Sequence, residues 1–354
     1  MSELFEKSLR TLELPRVLEM LSAQAVSDEA KRRCLALRPE TDIEDVERLQ
    51  EETEAARRMM ALRGSPGFSG VKPVREILDR ADRGGCLSPE ELLRVATVLK
   101  AARTAKEYAE GDTVESGLDI FFRQLTPNKF FEERIFTSIL SKDEIADAAS
   151  SELASIRRKI RQQSSKIRES LQKIITSPTY AKILQEPIVT IRSDRFVVPV
   201  KAECKSQLPG LVHDVSSSGS TFFIEPMSAV NGNNELRELF VAERKEIERI
   251  LAELSAEAAA RRESIDLNYE MLVTLDCIFA RAKLSFAMHG IEPVIRTDGK
   301  LELKCARHPL IDAKKVVPIS LSLGIDFDTM VITGPNTGGK TVTLKTIGLL
   351  TLMA

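Results

Sequence analysis

The sequence has no tryptophan, and aromatic residues make up only 5% of its 354 residues. Charged residues reach 29%, and together with abundant Ala and Leu this composition favours long, solvent-exposed helices. No apolar run of about 18 residues occurs, so we expect no membrane span. The formal net charge is only −2, which excludes a general attraction to nucleic acid or to anionic membranes. Any such binding must come from local patches.

Cysteines are few and widely spaced. The five are Cys34, Cys86, Cys204, Cys277 and Cys305, and no C-x-x-C pair occurs. The odd count and wide spacing argue against a disulfide framework or a structural zinc site. Met1 to Met20 has neither the apolar core nor the cleavage site of a secretory signal. These features predict reduced thiols in a cytoplasmic protein.

Helical signals dominate the first half of the chain. Ser88, Pro89 and Glu91 form a capping box with proline at the first helical position. Thr126-Pro127 predicts the start of another helix. Apolar residues at three- and four-residue spacing then form a coiled-coil-like stripe, which ends before Ser177-Pro178. The stripe consists of Leu153, Ile156, Ile160, Ile167, Leu171 and Ile174, with Gln163 filling one position.

A short β-rich stretch separates this helix from a longer one. Residues 188–191, 196–200, 211–215 and 221–224 are rich in β-branched and aromatic residues and predict hairpins. Residues 233–288 contain neither proline nor glycine, which predicts one uninterrupted helix of roughly 80 Å. We expect the first helix, a small β tip and the longer returning helix to form a protruding antiparallel arm.

After Gly290 the spacing of apolar residues changes from that of helices to that of strands. Residues 294–296, 301–305 and 316–323 are candidate strands, and 330–333 is a short apolar strand leading into a glycine-rich loop. A helix is predicted from about Gly339 to Leu352.

The glycine-rich loop carries the clearest chemistry. The pattern G-x-x-x-x-G-K-[ST] is met by Gly334, Pro335, Asn336, Thr337, Gly338, Gly339, Lys340 and Thr341. The glycines allow the backbone to bend around a phosphate, with amide N–H groups and the following helix N-terminus pointing at it. Lys340 would reach the β- and γ-phosphates, and the Thr341 hydroxyl would bind Mg²⁺. We therefore expect ATP and Mg²⁺ as cofactors.

The nucleotide site is incomplete in this sequence. Phosphoryl transfer also needs a carboxylate for Mg²⁺ and a residue that positions water, which normally lie on later strands. Only 13 residues follow Thr341. We therefore expect the chain to be the front portion of a longer ATPase, and to show no ATP turnover by itself.

Several segments resemble one family. Thr333 to Thr341 resembles the phosphate loop of the MutS family of DNA-repair ATPases, and Arg307-His308-Pro309 resembles that family's Arg-His-Pro element. The runs from Thr341 to Thr346 and from His213 to Pro226 are similar to the second bacterial MutS paralogue subfamily specifically. The resemblance covers essentially the whole chain.

The resemblance implies a mainly α fold: a helical core, long antiparallel lever helices carrying a small β clamp, and the beginning of an α/β P-loop ATPase domain. The expected divisions are a helical core (1–149), a first lever helix (150–186), the clamp (187–230), a second lever helix (231–289) and the start of the ATPase domain (290–354).

The subfamily lacks mismatch-reading domains and forms homodimers through the ATPase domain. Its members suppress homologous recombination on branched DNA and sense and split collided ribosomes. The resemblance thus implies DNA and ribosomal RNA as partners, and an endonuclease in a further C-terminal domain. Phe130-Phe131-Glu132 matches the Phe-x-Glu wedge of mismatch-reading relatives, but its helical setting predicts aromatics packed in a core.

A basic helix is the candidate contact with nucleic acid. Residues 157–173 contain seven Lys or Arg and one acid, Glu169. Two interpretations stay open: phosphate contact, or pairing with the acidic returning helix. Candidate contacts are Arg157, Arg158, Arg161 and Lys166 on the helix, and Lys201 and Lys205 in the clamp.

Other interpretations stay open for a few features. Val316 to Pro318 either line an adenine pocket or pack in a core, and a structural role near the nucleotide site suits His308 better than a metal. A chromosome-structuring coiled-coil ATPase of the SMC or Rad type is an alternative, but there the phosphate loop precedes the coiled coil. The other alternative is a non-catalytic helical interaction module.

Overall fold

A computed structural model describes residues 3–110, 116–334 and 339–354 of the chain. Helices predominate, which confirms the predicted mainly α fold. None of the helices in these ranges is both long and apolar enough to cross a membrane. In chain order the helices are α1 (Glu3–Thr11), α2 (Leu14–Gln24), α3 (Asp28–Ala36), α4 (Ile43–Arg63), α5 (Arg75–Asp82), α6 (Pro89–Ala109), α7 (Asp119–Gln124), α8 (Lys129–Ser138), α9 (Ser151–Ile175), α10 (Met227–Ala260), α11 (Arg262–Ala287) and α12 (Lys340–Met353).

In the described part of the chain, the strands form three small antiparallel sheets. They are β1 (Ile139–Ser141), β2 (Glu144–Ile145), β3 (Thr190–Arg192), β4 (Arg195–Lys201), β5 (Gly210–Val215), β6 (Thr221–Pro226), β7 (Leu301–Ala306) and β8 (Ile319–Leu323). The hairpins predicted between 188 and 224 are confirmed, and they form one four-stranded sheet in the order β3-β4-β6-β5.

The chain divides into two compact units. Unit 1 comprises Met1–Asp79, Arg94–Glu132 and Ala258–Ala354, and unit 2 comprises Arg80–Leu93 and Glu133–Glu257.

Helix α11 forms the centre of unit 1. It packs against α2, α3, α4 and α7, and its Phe279 ring lies 6.0 Å from the rings of both Phe68 and Tyr108. The Asp276 side chain is completely buried on the same helix. Its carboxylate accepts hydrogen bonds from the Ser27 N–H at 2.7 Å and the Ser27 hydroxyl at 2.8 Å. Since Ser27 also caps α3, one buried carboxylate orients the start of a neighbouring helix.

In unit 2, α9 and α10 pair in antiparallel fashion. Ser150 bonds Glu246 at 2.6 Å, Arg157 bonds Glu243 at 2.7 Å, and Gln163 bonds the Gly232 carbonyl at 3.4 Å. Residues further along α9 thus contact residues nearer the start of α10, as expected for antiparallel helices. The stripe predicted for α9 faces inward at Leu153, Ile156, Ile167 and Leu171, which are buried. Ile160 and Ile174 are only half-buried, and Ile175 is buried in place of Ile174.

The four-stranded sheet packs one face against the end of α9. Phe196, Val198, Val200 and Ile224 share a buried cluster with Leu171 and its neighbours. The alternation of side chains in β4 places Phe196, Val198 and Val200 on one face, and Ile224 of β6 lies opposite Val198. Between Val212 and Asp214 the pairing of β5 with β6 shifts by one residue.

The predicted uninterrupted helix over 233–288 differs from the structure in two respects. It starts earlier, at Met227, and is broken at Arg261, where α10 ends and α11 begins after one residue. The Arg261 N–H bonds the Ala258 carbonyl at 3.1 Å, three residues back, which tightens the turn. Arg261 itself lies over the Phe131 ring at 5.4 Å. Because no glycine or proline marks this break, the sequence pattern carries no sign of it.

Two predicted strands are also absent from the described residues. Neither 294–296 nor 330–333 is a strand, and Val294 and Val331 are mostly exposed. A strand requires a hydrogen-bonded neighbour. Within the described ranges, β7 and β8 pair with each other and leave these segments without one.

The aromatic pair at the start of α8 is divided between core and surface. Phe131 is fully buried, as predicted, whereas Phe130 is 72% exposed, so the prediction of core packing is wrong for Phe130. Adjacent helical residues point about 100° apart, so only one of the two faces the core. Glu132 is buried and accepts hydrogen bonds from Arg103 at 2.8 and 2.9 Å, so this acid is already occupied.

Candidate functional site

The two glycines that bracket the predicted phosphate loop both adopt positive φ. Gly334 has φ 145° and Gly339 has φ 79°, and a Cβ at either position would meet no atom of the described residues within 4 Å. The positive φ angles therefore favour glycine at both positions. Pro335, Asn336, Thr337 and Gly338 lie outside the described residues.

Helix α12 begins directly after the second glycine. The first intrahelical bond runs from the Thr343 N–H to the Gly339 carbonyl at 2.9 Å. The Lys340 ammonium folds back to donate to the Gly334 carbonyl at 2.5 Å, and the Thr341 side chain lies exposed at the same helix end. A helix N-terminus, a lysine directed to the loop and a hydroxyl together form a set of donors that suits a polyphosphate.

One residue beside this helix has no counterpart among the sequence predictions. Glu13, between α1 and α2, accepts a hydrogen bond from Lys345 at 2.8 Å. Glu13 is not a motif residue, and its sole local oddity is a positive φ of 63°, which the sequence does not reveal.

His308 is buried and lies close to the same pair of charges. Burial lowers the pKa of His308, which favours the neutral ring. Its Nδ1 accepts from the Leu310 N–H at 3.3 Å, a role open only to an unprotonated nitrogen. Val317, which follows the Arg-His-Pro element in the chain, is 78% exposed, so the interpretation that it packs in a core is wrong.

On the basic helix α9, Arg157 is directed inward. It bonds Glu243, Asp147 and the Ile145 carbonyl, each at 2.7 Å, and its side chain is only 22% exposed. Burial opposes its charge, but the hydrogen bonds to Asp147 and Glu243 raise the pKa of Arg157 overall. For this residue the geometry favours arm pairing over phosphate contact.

The other predicted cations of α9 face solvent. Arg158, Arg161 and Lys166 are all exposed, and Arg161 makes one long contact of 3.5 Å to Asp147. Lys166 and Lys159 line an open cleft of about 450 Å³, opposite Glu235 and Glu238 of α10. The surface of α9 thus keeps cations that the helix pairing does not use.

The clamp lysines are less available. The Lys201 ammonium donates to the Lys182 carbonyl at 3.2 Å. The Lys205 ammonium lies over the Phe222 ring, 4.7 Å from its centre. Nearby, Arg192 stacks on Phe223 at 4.3 Å, and Arg168 of α9 lies 5.2 Å from the centre of the Phe196 ring. Among the described residues, cations thus lie over aromatic rings at three places in this sheet region.

A buried polar cluster joins the sheet to the start of α10. Glu225 is fully buried and bonds Arg195 at 2.8 Å, His213 at 2.5 Å and Asn233 at 2.7 Å. The Asn233 carboxamide also bonds both the N–H and the carbonyl of Phe196, at 3.0 and 3.1 Å. The two ends of the run from His213 to Pro226 therefore meet in one network, which the sequence alone did not predict.

Comparison with known proteins gives one consistent set of relatives, although no family model matches the chain. Endonuclease MutS2 of Acetivibrio thermocellus is 47% identical over 352 residues, which is 98% of this chain and 44% of that protein. Endonuclease MutS2 of Clostridioides difficile is 46% identical over 352 residues, again 98% and 44%. Endonuclease MutS2 of Alkaliphilus oremlandii is 45% identical over 353 residues, 99% of this chain and 45% of that protein. The chain spans less than half the length of these relatives.

Proposed function

This chain belongs to the MutS2 family, and from that premise we propose that it contributes the ATP-binding and nucleic-acid-clamping part of a MutS-type ATPase without mismatch recognition. The observation that supports the proposal most directly is the loop bracketed by two positive-φ glycines at the start of α12. The segment that resembles the MutS phosphate loop, Thr333 to Thr341, contains this same loop.

Each residue of this site has a distinct role in the proposal. Backbone N–H groups after Gly334 and at the N-terminus of α12 bind phosphate oxygens. Lys340 would exchange its hydrogen bond to the Gly334 carbonyl for the terminal phosphates, and the Thr341 hydroxyl would serve as a Mg²⁺ ligand. Bound Mg²⁺ neutralises charge on the phosphates. Nucleotide state would then bias two arrangements of the antiparallel helices α9 and α10.

The clamped partner in this proposal is branched or double-stranded DNA, ribosomal RNA, or both, since all present the same phosphate backbone. We place the whole protein in the cytoplasm as a homodimer joined through its ATPase domain. Its proposed roles are suppression of homologous recombination and splitting of stalled ribosomes. The nuclease in the relatives' name is proposed to lie in a domain outside the 354 residues.

Replacement of Lys340 by alanine tests the nucleotide site. We expect the wild-type chain to bind a fluorescent ATP analogue in the presence of Mg²⁺, and Lys340→Ala to bind it about tenfold more weakly, because one hydrogen bond to a charged group is lost. Lys304→Ala, at a lysine 79% exposed on β7, is the matched control and should leave affinity unchanged. We expect neither protein to turn over ATP. Steady Mg²⁺-dependent hydrolysis by the wild-type chain that Lys340→Ala abolishes would contradict the incomplete site.

Charge reversal on α9 tests the nucleic-acid surface. The triple variant Arg158→Glu/Arg161→Glu/Lys166→Glu should bind duplex DNA and ribosomal RNA at least about tenfold more weakly. The slope of log affinity against log salt should become shallower by about 2 to 3, because each phosphate contact contributes about 0.9. Fluorescence anisotropy across a salt series measures both quantities.

The control for this variant must carry the same change in net charge. Lys7→Glu/Lys72→Glu/Lys304→Glu reverses three exposed lysines of unit 1. Equal losses in the two triple variants would mean that net charge, and not the surface of α9, determines binding. An unchanged slope in the α9 variant would exclude the contact.

A further inference from the structure

The corner between α1 and α2 meets one face of the helix that follows the phosphate loop. Glu13, at this corner, accepts hydrogen bonds from Lys345 of α12 at 2.8 Å and from Arg16 of α2 at 2.9 Å. These two bonds lower the pKa of Glu13 and keep it ionised. Glu13 also holds φ at 63°, a conformation that non-glycine residues rarely adopt.

A second contact lies one helical turn further along α12. A Cβ at Gly348 would lie 2.7 and 2.9 Å from the two methyl carbons of Leu12, distances that real Cβ atoms do not show. Leu12 thus rests directly on the backbone of α12, and the glycine permits this close approach. Two adjacent residues of the corner, one charged and one apolar, therefore contact the same helix.

The contacted face of α12 leads back to the proposed nucleotide site. Residues three and four apart share a helix face, so Gly348, Lys345 and Thr341 follow one another along it. Thr341 lies at the helix N-terminus, next to Lys340. His308, of the Arg-His-Pro element, lies within electrostatic range of both Glu13 and Lys345. Three segments that are distant in sequence thus converge on the helix that carries the phosphate-binding lysine.

We propose that Glu13 is a positioning residue of the nucleotide site. Through Lys345 it fixes the orientation of α12, and with it Lys340 and Thr341, and the α1–α2 corner responds when nucleotide occupies the loop. This inference rests on the proposed ATP binding and adds a residue from the chain's first helical corner to that site.

The test uses the 354-residue chain, a fluorescent ATP analogue with Mg²⁺, and amide hydrogen exchange. In the wild-type chain, bound analogue should slow exchange both in α12 and at residues 12–17. Glu13→Gln and Lys345→Gln should each weaken analogue affinity about three- to fivefold, the size expected for one partly exposed ion pair. Each should also remove the nucleotide-dependent protection at residues 12–17, while the thermal unfolding midpoint stays within about 2 °C of wild type.

A double-mutant cycle separates positioning from general damage. Because both changes remove the same contact, Glu13→Gln/Lys345→Gln should be no weaker than either single variant. The matched control is Glu6→Gln, which removes the exposed Glu6–Arg38 pair of α1, and it should behave as wild type. If the wild-type chain binds no analogue, the proposed function fails together with this inference. If the chain binds and Glu13→Gln changes neither affinity nor transmitted protection, this inference alone is overturned.

Discussion

Replacement of Asp276 by alanine is expected to lower the free energy of unfolding by about 3 kcal/mol. The carboxylate is fully buried and accepts from the Ser27 N–H and hydroxyl and from the Val26 N–H at 3.0 Å. Alanine leaves these donors without an acceptor, and each buried unpaired donor costs about 1–3 kcal/mol. The recovered desolvation energy of the carboxylate offsets part of that cost. Equilibrium unfolding in urea measures the change from the shift in midpoint at constant slope.

A second aspartate on the same helix provides the control. Asp266 also pairs with a distant part of unit 1, through two nitrogens of Arg75 at 2.8 and 3.0 Å, but the Arg75 side chain is 59% exposed. Asp266→Ala should cost no more than about 1 kcal/mol, because exposed ion pairs stabilise little. Equal losses at the two positions would mean that burial of the Asp276 carboxylate is not what makes it important.

Local signals predicted those parts of the fold that are determined locally. The capping box is present as predicted, with the Ser88 N–H and hydroxyl both bonded to Glu91 at 2.9 and 3.0 Å. Hairpins and the inward stripe of α9 follow from side-chain periodicity, and both are confirmed. Positive φ at Gly334 and Gly339 agrees with the glycines that the phosphate-loop pattern requires.

Features that depend on distant partners were not predictable in the same way. The break at Arg261 has no glycine or proline to mark it, and the strand expected at 330–333 lacks a hydrogen-bonded neighbour in the described chain. The sequence left pairing with the acidic returning helix open for the basic helix as a whole, but it did not indicate that Arg157, and not its exposed neighbours, pairs with Glu243, 86 residues away. Glu13 and Lys345 are 332 residues apart, and neither lies in a motif with a predicted role. Residue type and local spacing carry no information about such pairs.

Replacement of Asn233 by aspartate is expected to be the most damaging conservative change in unit 2, at about 3–5 kcal/mol of unfolding free energy. The Asn233 amide nitrogen donates to the Phe196 carbonyl at 3.1 Å and to Glu225 at 2.7 Å. Aspartate has nearly the same shape but no N–H donor. It would leave that carbonyl unpaired and place a second negative charge beside the buried Glu225 carboxylate.

The neighbouring residue separates this effect from a general response to added charge. Asn234 is exposed, and its side-chain oxygen accepts from Arg195 at 2.7 Å. An aspartate keeps that acceptor and adds attraction, so Asn234→Asp should change stability by less than about 0.5 kcal/mol. Hydrogen exchange at the Phe196 amide, which donates to the Asn233 side-chain oxygen, should accelerate in Asn233→Asp because the less stable cluster opens more often, and it should stay unchanged in Asn234→Asp. Equal behaviour of the two variants would mean that the carboxamide does not join β4 to α10. We expect the two variants to differ strongly in stability. At Asn233 the substitution removes a donor from a buried cluster that is already anionic, whereas at Asn234 it keeps an acceptor beside Arg195.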